Sequence, residues 1–471
     1  MAGFKARKTV LLSKLETLTS GDYAYGSSMA PTVTSLDGSH AVQITDPSID
    51  PIVGEYADLN HVRDWMGNSK RIQVSSHSDL SFKVPFSPIT LPSGTIPAWG
   101  SLLRMCGFAQ TIDEYYSQIV QLAADVSKAT TTLTLVSVTG IKVGDEVVRD
   151  GSVAAAATVT AINTATKVVT ISSALLAMLT KGNHIQFRRS STVAATGAVT
   201  PIGSDHITLN GSPADVHRIQ HGMKVSGVGI PANTFIEAFD STRIRISNVT
   251  TAEIASGATL TFDYKRVYYS TVANAHEYGT MQVYLDRIMH KLTGVRGSVK
   301  IKGSAGELPM FEFNFKGLYN NPSDSNGTAQ NPVYTAWKDP VPVNARNTYF
   351  SYFGISMNVK TFEIDVGNEV TYRNLINAED VQIVDRKIGG TLSWECDALA
   401  AKNWFDVVRT GSTSGFSFSH GSEGGQVVSI HCDDVSLHDL KYEVNDGIYF
   451  FSASLAMVPN SGGDDLVIST Y

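Results

Sequence analysis

The sequence predicts a mainly β protein with more than one core. Three observations carry that expectation. First, Phe311-Glu312-Phe313-Asn314-Phe315-Lys316 alternates aromatic and polar residues. Side chains of a strand leave opposite faces with a period of two, so three rings share one face while Glu, Asn and Lys share the other. That is a half-buried strand with a wet outer face. Second, Thr, Ser, Val and Gly are abundant, a composition that favours strands joined by turns. Third, 42% hydrophobic residues suffice for packed cores, whereas 17% charged residues are few beside the about 25% of ordinary soluble domains. A surface coated with Ser and Thr accounts for this, as does a surface covered by partners. A length of 471 residues exceeds one ordinary core and suggests about three domains.

In chain order, residues 1 to about 70 read as an extended arm. Pro31, Pro47 and Pro51 punctuate it, and Asp46-Pro47-Ser48-Ile49-Asp50-Pro51 cannot be a central strand, since proline donates nothing to a ladder. Gln73 to Phe86 resumes the alternation through Leu80, Phe82 and Val84. Ile96 to Phe108 reads as a helix with Thr95 as N-cap, Pro97 in the first turn and Gly107 as the C-terminal stop. Its Trp99, Leu102, Leu103 and Cys106 recur at helical spacing, a stripe for packing against a sheet.

Between 126 and 264 the charges thin out and an internal repeat is visible. Leu133-Thr134-Leu135 matches Ile207-Thr208-Leu209, and Ile141-Lys142-Val143-Gly144 matches Met223-Lys224-Val225-Ser226. Thr170-Ile171-Ser172 matches Arg245-Ile246-Ser247, and Gly182, Ile185 and Phe187 match Gly257, Leu260 and Phe262. Two small β domains in tandem, 126–189 and 190–264, are expected. They interrupt one core built from 1–125 and 265–471, an insertion that loop-closure entropy tolerates.

The organising stretch of that core is Met281 to Tyr319. Met281–Ile288, Arg296–Lys302 and Phe311–Lys316 make a three-stranded meander, with Gly303 to Pro309 as a turn. Further strands are expected over Ser356–Asp365, Ala378–Asp385, Gly390–Cys396, Gly415–His420, Val427–Cys432 and Ile448–Val458. A second helix is expected over Asp397–Arg409, capped by Asp397 and ended by Gly411, with Leu399, Trp404, Val407 and Val408 on its buried face.

No constellation carries convincing chemistry. His431-Cys432-Asp433-Asp434 with His438 is the most metal-like cluster, but a structural zinc site wants four converging ligands and alternate residues of a strand diverge. Gly411-Ser412-Thr413-Ser414-Gly415 has threonine where a nucleophile elbow has its nucleophile, and it lacks the strand-turn-helix context. Gly421 to Gly425 lacks the lysine of a phosphate loop. Asp145-Glu146 and Asp464-Asp465 read as solvated turn residues. Catalytic, cofactor-binding and metal sites are therefore each expected to be none. Cys106, Cys396 and Cys432 form no CxxC pair and are expected as buried free thiols, consistent with folding in a reducing cytoplasm. The formal net charge of -7 argues against a basic nucleic-acid groove, although DNA could pass such a surface without sticking. No apolar run has the length of a signal segment or a membrane span.

Four stretches together resemble a known family. They are Pro51-Ile52-Val53-Gly54-Glu55 through Trp65-Met66-Gly67; Ile96-Pro97-Ala98-Trp99-Gly100-Ser101-Leu102-Leu103-Arg104-Met105-Cys106-Gly107-Phe108; Leu285 to Gly297 followed by Phe311 to Tyr319; and Asp446-Gly447 with Leu455 to Asp465. Their order is similar to that in the tail tube (major tail) proteins of long-tailed, lambda-type siphophages. The resemblance covers most of the core and none of the repeats. It implies a tail-tube β-sandwich or barrel with a flanking α-helix, and hexameric rings of the chain stacked into a tube. It further implies tape-measure, tail terminator and tail-tip proteins as partners, and phage DNA passing through the lumen without specific binding. The location would be the virion tail, after synthesis in the host cytoplasm without membrane anchoring. The inserted domains, Ig-like on this reading, would project outward as decoration and meet a host surface, and a non-contractile tail follows. A secreted adhesin-type β protein is the alternative. A carbohydrate-active enzyme would need paired carboxylates in a cleft, and none can be singled out.

Overall fold

The computed structural model describes residues 8–16, 36–59, 61–62, 64–89, 96–113, 116–138, 141–148, 152–154, 157–189, 191–210, 223–232, 234–239, 243–263, 266–274, 276–324, 331–353, 355–400, 402–421, 427–459, 463 and 465–470. Strand makes up 55%, and among the described residues the α-helices are two and short. The meander forms as the alternation demands. Strands Gly279–Leu285, Ile288–Ser304 and Met310–Tyr319 pair antiparallel, with Val299 opposite Phe313 and Ile301 opposite Phe311. Phe311, Phe313 and Phe315 are buried while Asn314 faces solvent. Burying each such ring contributes about 1.5–3 kcal/mol. Gly297 lies where a side chain would strike the Phe315 ring.

Backbone pairing then traces one extended path. Thr45–Val53 lies beside His77–Pro85, followed by Met310–Tyr319, Ile288–Ser304, Val359–Asp365, Gly389–Glu395, Ile448–Met457 and Val428–Asn445. It continues through Val467–Thr470 to Arg266–Thr271 and Phe108–Asp113. Ser414–His420 and Thr348–Tyr352 extend the other edge of Val428–Asn445. The two longest strands change partner along their length. Ile288–Ser304 pairs Gly279–Leu285 near its start and Val359–Asp365 near its end, with a bulge where Gly294 takes φ 60°. Strands that switch neighbours at bulges make the corners of packed sheets. Phe362 and Phe418, from different arms of this path, meet with ring centroids 4.5 Å apart. One apolar cluster runs from Leu11 to Ile468 and includes Trp99, Trp337, Trp394 and Trp404.

The arm reading needs correction. Thr9–Leu15 is a strand of the main sheet, paired with Gly279–Leu285 over its whole length and with Ala41–Val42, and Leu11 and Leu12 are buried. The Asp46–Pro51 segment is indeed strand, but it pairs on one side among the described residues, with register breaks at the two prolines. Pro31 and Thr95 lie outside the described residues. The first helix is shorter than its stripe, Gly100–Met105, because Ile96 and Pro97 precede the first turn and Trp99 caps it without a side-chain bond. Trp99, Leu102, Leu103 and Cys106 are fully buried, and Gly107 closes it at φ 80°. The second helix is Trp404–Thr410, capped by Asn403, whose Oδ1 accepts from Asp406 N at 3.2 Å. Asp397 is not its cap, and Leu399 is 64% exposed. Gly411 ends it in the left-handed region.

The repeated segments form two further apolar clusters, from Val120 to Phe187 and from Ile207 to Phe262. Pairing recurs strand for strand. Tyr116–Gln121 pairs His184–Arg189 as Ser191–Ala195 pairs Thr259–Asp263. Ser172 Oγ accepts from Thr158 N at 2.9 Å, and Ser247 Oγ from Phe235 N at 3.0 Å. Gly182 and Gly257 take φ 85° and 80° at matching turns. One matched pair was misaligned. Val143 is 59% exposed whereas Val225 is buried. The counterpart of Val225, which pairs with Phe262, is Val147, which pairs with Phe187. The first cluster also begins earlier than residue 126, with the strand at 116–121.

Candidate functional surface: a charge-paired sheet face and the hairpin beside it

The meander's polar face is a single electrostatic unit. Alternation puts Asp79 and Lys83 on one strand, Glu312, Asn314 and Lys316 on the next, Lys300 and Lys302 on the third, and Glu363 and Asp365 on the fourth. Register then brings opposite charges together. Asp46 meets Lys83 at 3.1 Å, Lys83 meets Glu312 at 3.7 Å, and Glu312 meets Lys302 at 2.8 Å. Lys302 meets Glu363 at 3.5 Å, Glu363 meets Lys300 at 3.7 Å, and Lys300 meets Asp365 at 2.9 Å. Hydrogen bonds to Asp46, Asp365 and Glu312 hold the Lys83, Lys300 and Lys302 ammonium groups above the ordinary lysine range. Isolated exposed pairs contribute about 0–1 kcal/mol each. Their effect here is on the field: each lysine of the row is neutralised in place, so it offers no free cation to a phosphate.

Beside this face stands the hairpin Asn368–Leu375 and Ala378–Arg386, of which sequence reasoning found the second strand and missed the first. Asn368 anchors it, with Nδ2 donating to Cys106 O at 2.7 Å and Gly297 O at 3.0 Å. Arg296, 6% exposed, donates to Val381 O at 2.9 Å and His276 O at 2.5 Å, and its guanidinium lies 3.6 Å from the centre of the Tyr278 ring. Arg386 closes the far end on Asp465 at 3.0 Å. A groove of about 360 Å³ separates hairpin from sheet and is lined by Asp50, Asp79, Ser298, Asn314, Lys316 and Asn368.

The clusters singled out in the sequence are not brought together here. Cys432 is buried with Sγ 3.4 Å from Asp434 O, His431 is exposed, and His438 meets Ser436 Oγ at 2.9 Å. Thr413 is exposed between helix and strand. Of the stretch Gly421 to Gly425, residues 422–425 lie outside the described residues. Among the described residues no three His, Cys, Asp or Glu side chains could hold a metal ion. No helix of the described residues is long and apolar enough to cross a membrane.

Two acidic expectations fail. Asp145 is buried, with its carboxylate accepting from Lys142 N at 2.6 Å, and Glu146 pairs with Arg188 at 2.8 Å. Asp465 is also buried, while Asp464 lies outside the described residues. The three thiols are free, but Cys396 is only partly buried. Burial raises the Cys106 thiol pKa well above its ordinary value.

No family model matches the chain, and no curated protein sequence does.

Proposed function

We propose that the chain is the structural subunit of a phage tail tube, assembling as stacked hexameric rings that form a conduit for DNA. The observation that carries this reading is where the large apolar side chains remain exposed. One group lies on the Tyr56–Asp58/Arg71–Gln73 hairpin and its loop, with Tyr56, Val62, Trp65, Met66 and Ile72. Another lies at the end of the Val428–Asn445/Ile448–Met457 ribbon, with Tyr442, Val444, Ile448 and Tyr449. Large apolar side chains left exposed together on one hairpin or ribbon end are the kind of surface that another protein covers, and further copies of the same chain are the occupant proposed here. The neutralised sheet face supports the same reading, since a conduit wall must not hold DNA. In this reading the two repeated units are small Ig-like β-sandwiches facing outward, which would obstruct a contractile sheath, so the tail is non-contractile. Tape-measure, terminator and tail-tip proteins are the remaining partners.

Negative-stain electron microscopy of the concentrated protein tests it. Hollow tubes or six-membered rings with outer knobs are expected. Discrete closed dimers with a deep cleft would overturn the reading.

A further inference from the structure

One histidine stands at the junction of the sheet and the hairpin Asn368–Arg386. His77 opens the strand His77–Pro85, opposite Leu318 on one side and Val53 on the other. Its ring stacks on Tyr372 of the hairpin, with centroids 4.9 Å apart and planes 28° apart. The Tyr372 hydroxyl is in turn hydrogen-bonded to Glu379 on the opposite hairpin strand. His77 Nε2 lies 3.0 Å from Lys316 Nζ. An ammonium can only donate, so Nε2 is the acceptor and the imidazole is neutral in this arrangement. We propose that His77 is a pH-operated latch, which holds the hairpin against the sheet while neutral and releases it when protonated.

The charged groups facing the ring decide the sign. Lys316 comes from the neighbouring strand, and its ammonium would sit 3.0 Å from a second cation after protonation. Asp79, on the ring's own strand, opposes this, at 3.5 Å from His77 and 3.3 Å from Lys316. It already serves the lysine. Asp50, on the outer strand, pairs across from Asp79 and lines the groove. From the hairpin come Tyr372 and Glu379, whose carboxylate is held by the Tyr372 hydroxyl. Burial is the largest influence on the ring and the lysine the second, and both disfavour the imidazolium, while Asp79 favours it. The folded state therefore holds its proton less readily than the unfolded chain. The latch contributes fully above the ordinary histidine value of 6.5 and is lost as pH falls below it.

Release is read in the hairpin itself, because a two-stranded ribbon is only marginally stable once it no longer packs on the sheet. The test is hydrogen exchange of the full chain from pH 7.5 to 5, expressed as protection relative to intrinsic rates. Peptides from 368–386 should lose protection as the pH falls through the histidine range. Peptides from 168–189, in the first repeated unit, should not. His77→Gln keeps an uncharged acceptor for Lys316, and His77→Phe keeps the stack without a titrating group. In both, the hairpin's pH response should vanish. His276 lies at the hairpin's other end, near Arg296 and Arg386, and burial lowers its pKa too. A response that persists in both variants would assign the effect there and overturn the proposal, as would a wild-type hairpin with unchanged protection.

Discussion

Replacing Asp465 with alanine should destabilise the main core by about 3–5 kcal/mol, the cost of stripping one partner from a buried ion pair. The estimate follows from the surroundings. Asp465 is 5% exposed. It accepts from Arg386 Nε at 3.1 Å and Nη2 at 3.2 Å, and from the Thr271 hydroxyl. Arg386 is itself held by Val272 O at 2.9 Å and cannot swing freely to water. Among the described residues, the mutation thus leaves the guanidinium with one carbonyl and no counter-charge. Tryptophan fluorescence in a urea titration reads this core selectively. Trp99, Trp337, Trp394 and Trp404 belong to its cluster, and neither repeated segment contains tryptophan. The double variant Asp465→Leu with Arg386→Met should recover most of the loss, because a buried pair can be replaced by apolar groups nearly without cost. A loss below about 1 kcal/mol for Asp465→Ala would mean that the pair behaves as an exposed one, and the burial argument would fail.

Other changes have equally definite outcomes. Phe313→Ala should cost about 3–5 kcal/mol by the same titration, since its ring packs against those of Phe82, Phe311 and Phe315 at 5.7, 5.9 and 5.5 Å. Gly297→Ala should cost about 1–3 kcal/mol by overpacking against Phe315 and Asn314, and thermal melts of the variant would show it. Ser172→Ala and Ser247→Ala should each cost about 0.5–1.5 kcal/mol, with similar values if the repeat is energetic as well as geometric; hydrogen exchange of each unit measures this. Glu16 is raised above its ordinary value of 4.5 by burial, against hydrogen bonds from Thr280 and Gly294. Its favourable contribution is therefore present at low pH and lost as pH rises through the raised value. Glu16→Gln keeps the acceptor and should flatten that part of the stability profile.

Local signals were legible in the sequence and distant pairings were not. Phe311 to Lys316 announces its strand because alternation and the flanking Gly303–Pro309 turn lie within a few residues. Thr9–Leu15 gives no such pattern. Its Val10, Leu11 and Leu12 are consecutive, and its partner lies at 279–285. Val428–Asn445 runs well beyond the expected end at Cys432 and continues past Asp439 at φ 54°, because its later partner, Ile448–Met457, is visible only once the register is known. The lysines and carboxylates of the sheet face could be placed on alternate positions, but which carboxylate meets which lysine depends on register between strands. Asp465 looked solvated because nothing nearby in sequence points to Arg386. His77 carried no signal, since its meaning comes from Lys316 and Tyr372.

The pairing of Thr9–Leu15 with Gly279–Leu285 also sets a timetable for biosynthesis. At roughly 5–20 residues per second, the ribosome takes on the order of 15–50 s to deliver the roughly 260 residues between these strands. During that interval Leu11 and Leu12 have only the two-residue strand Ala41–Val42 to pair with. The repeated units, whose contacts are closer in sequence, emerge and can fold first. The main core is thus a late, post-insertion event, and a nascent chain carries an unsheltered apolar strand while folded units hang between its halves. Ribosome-bound truncations ending before residue 279 should therefore bind hydrophobic-surface chaperones at their N-terminal segment, and longer ones should release them.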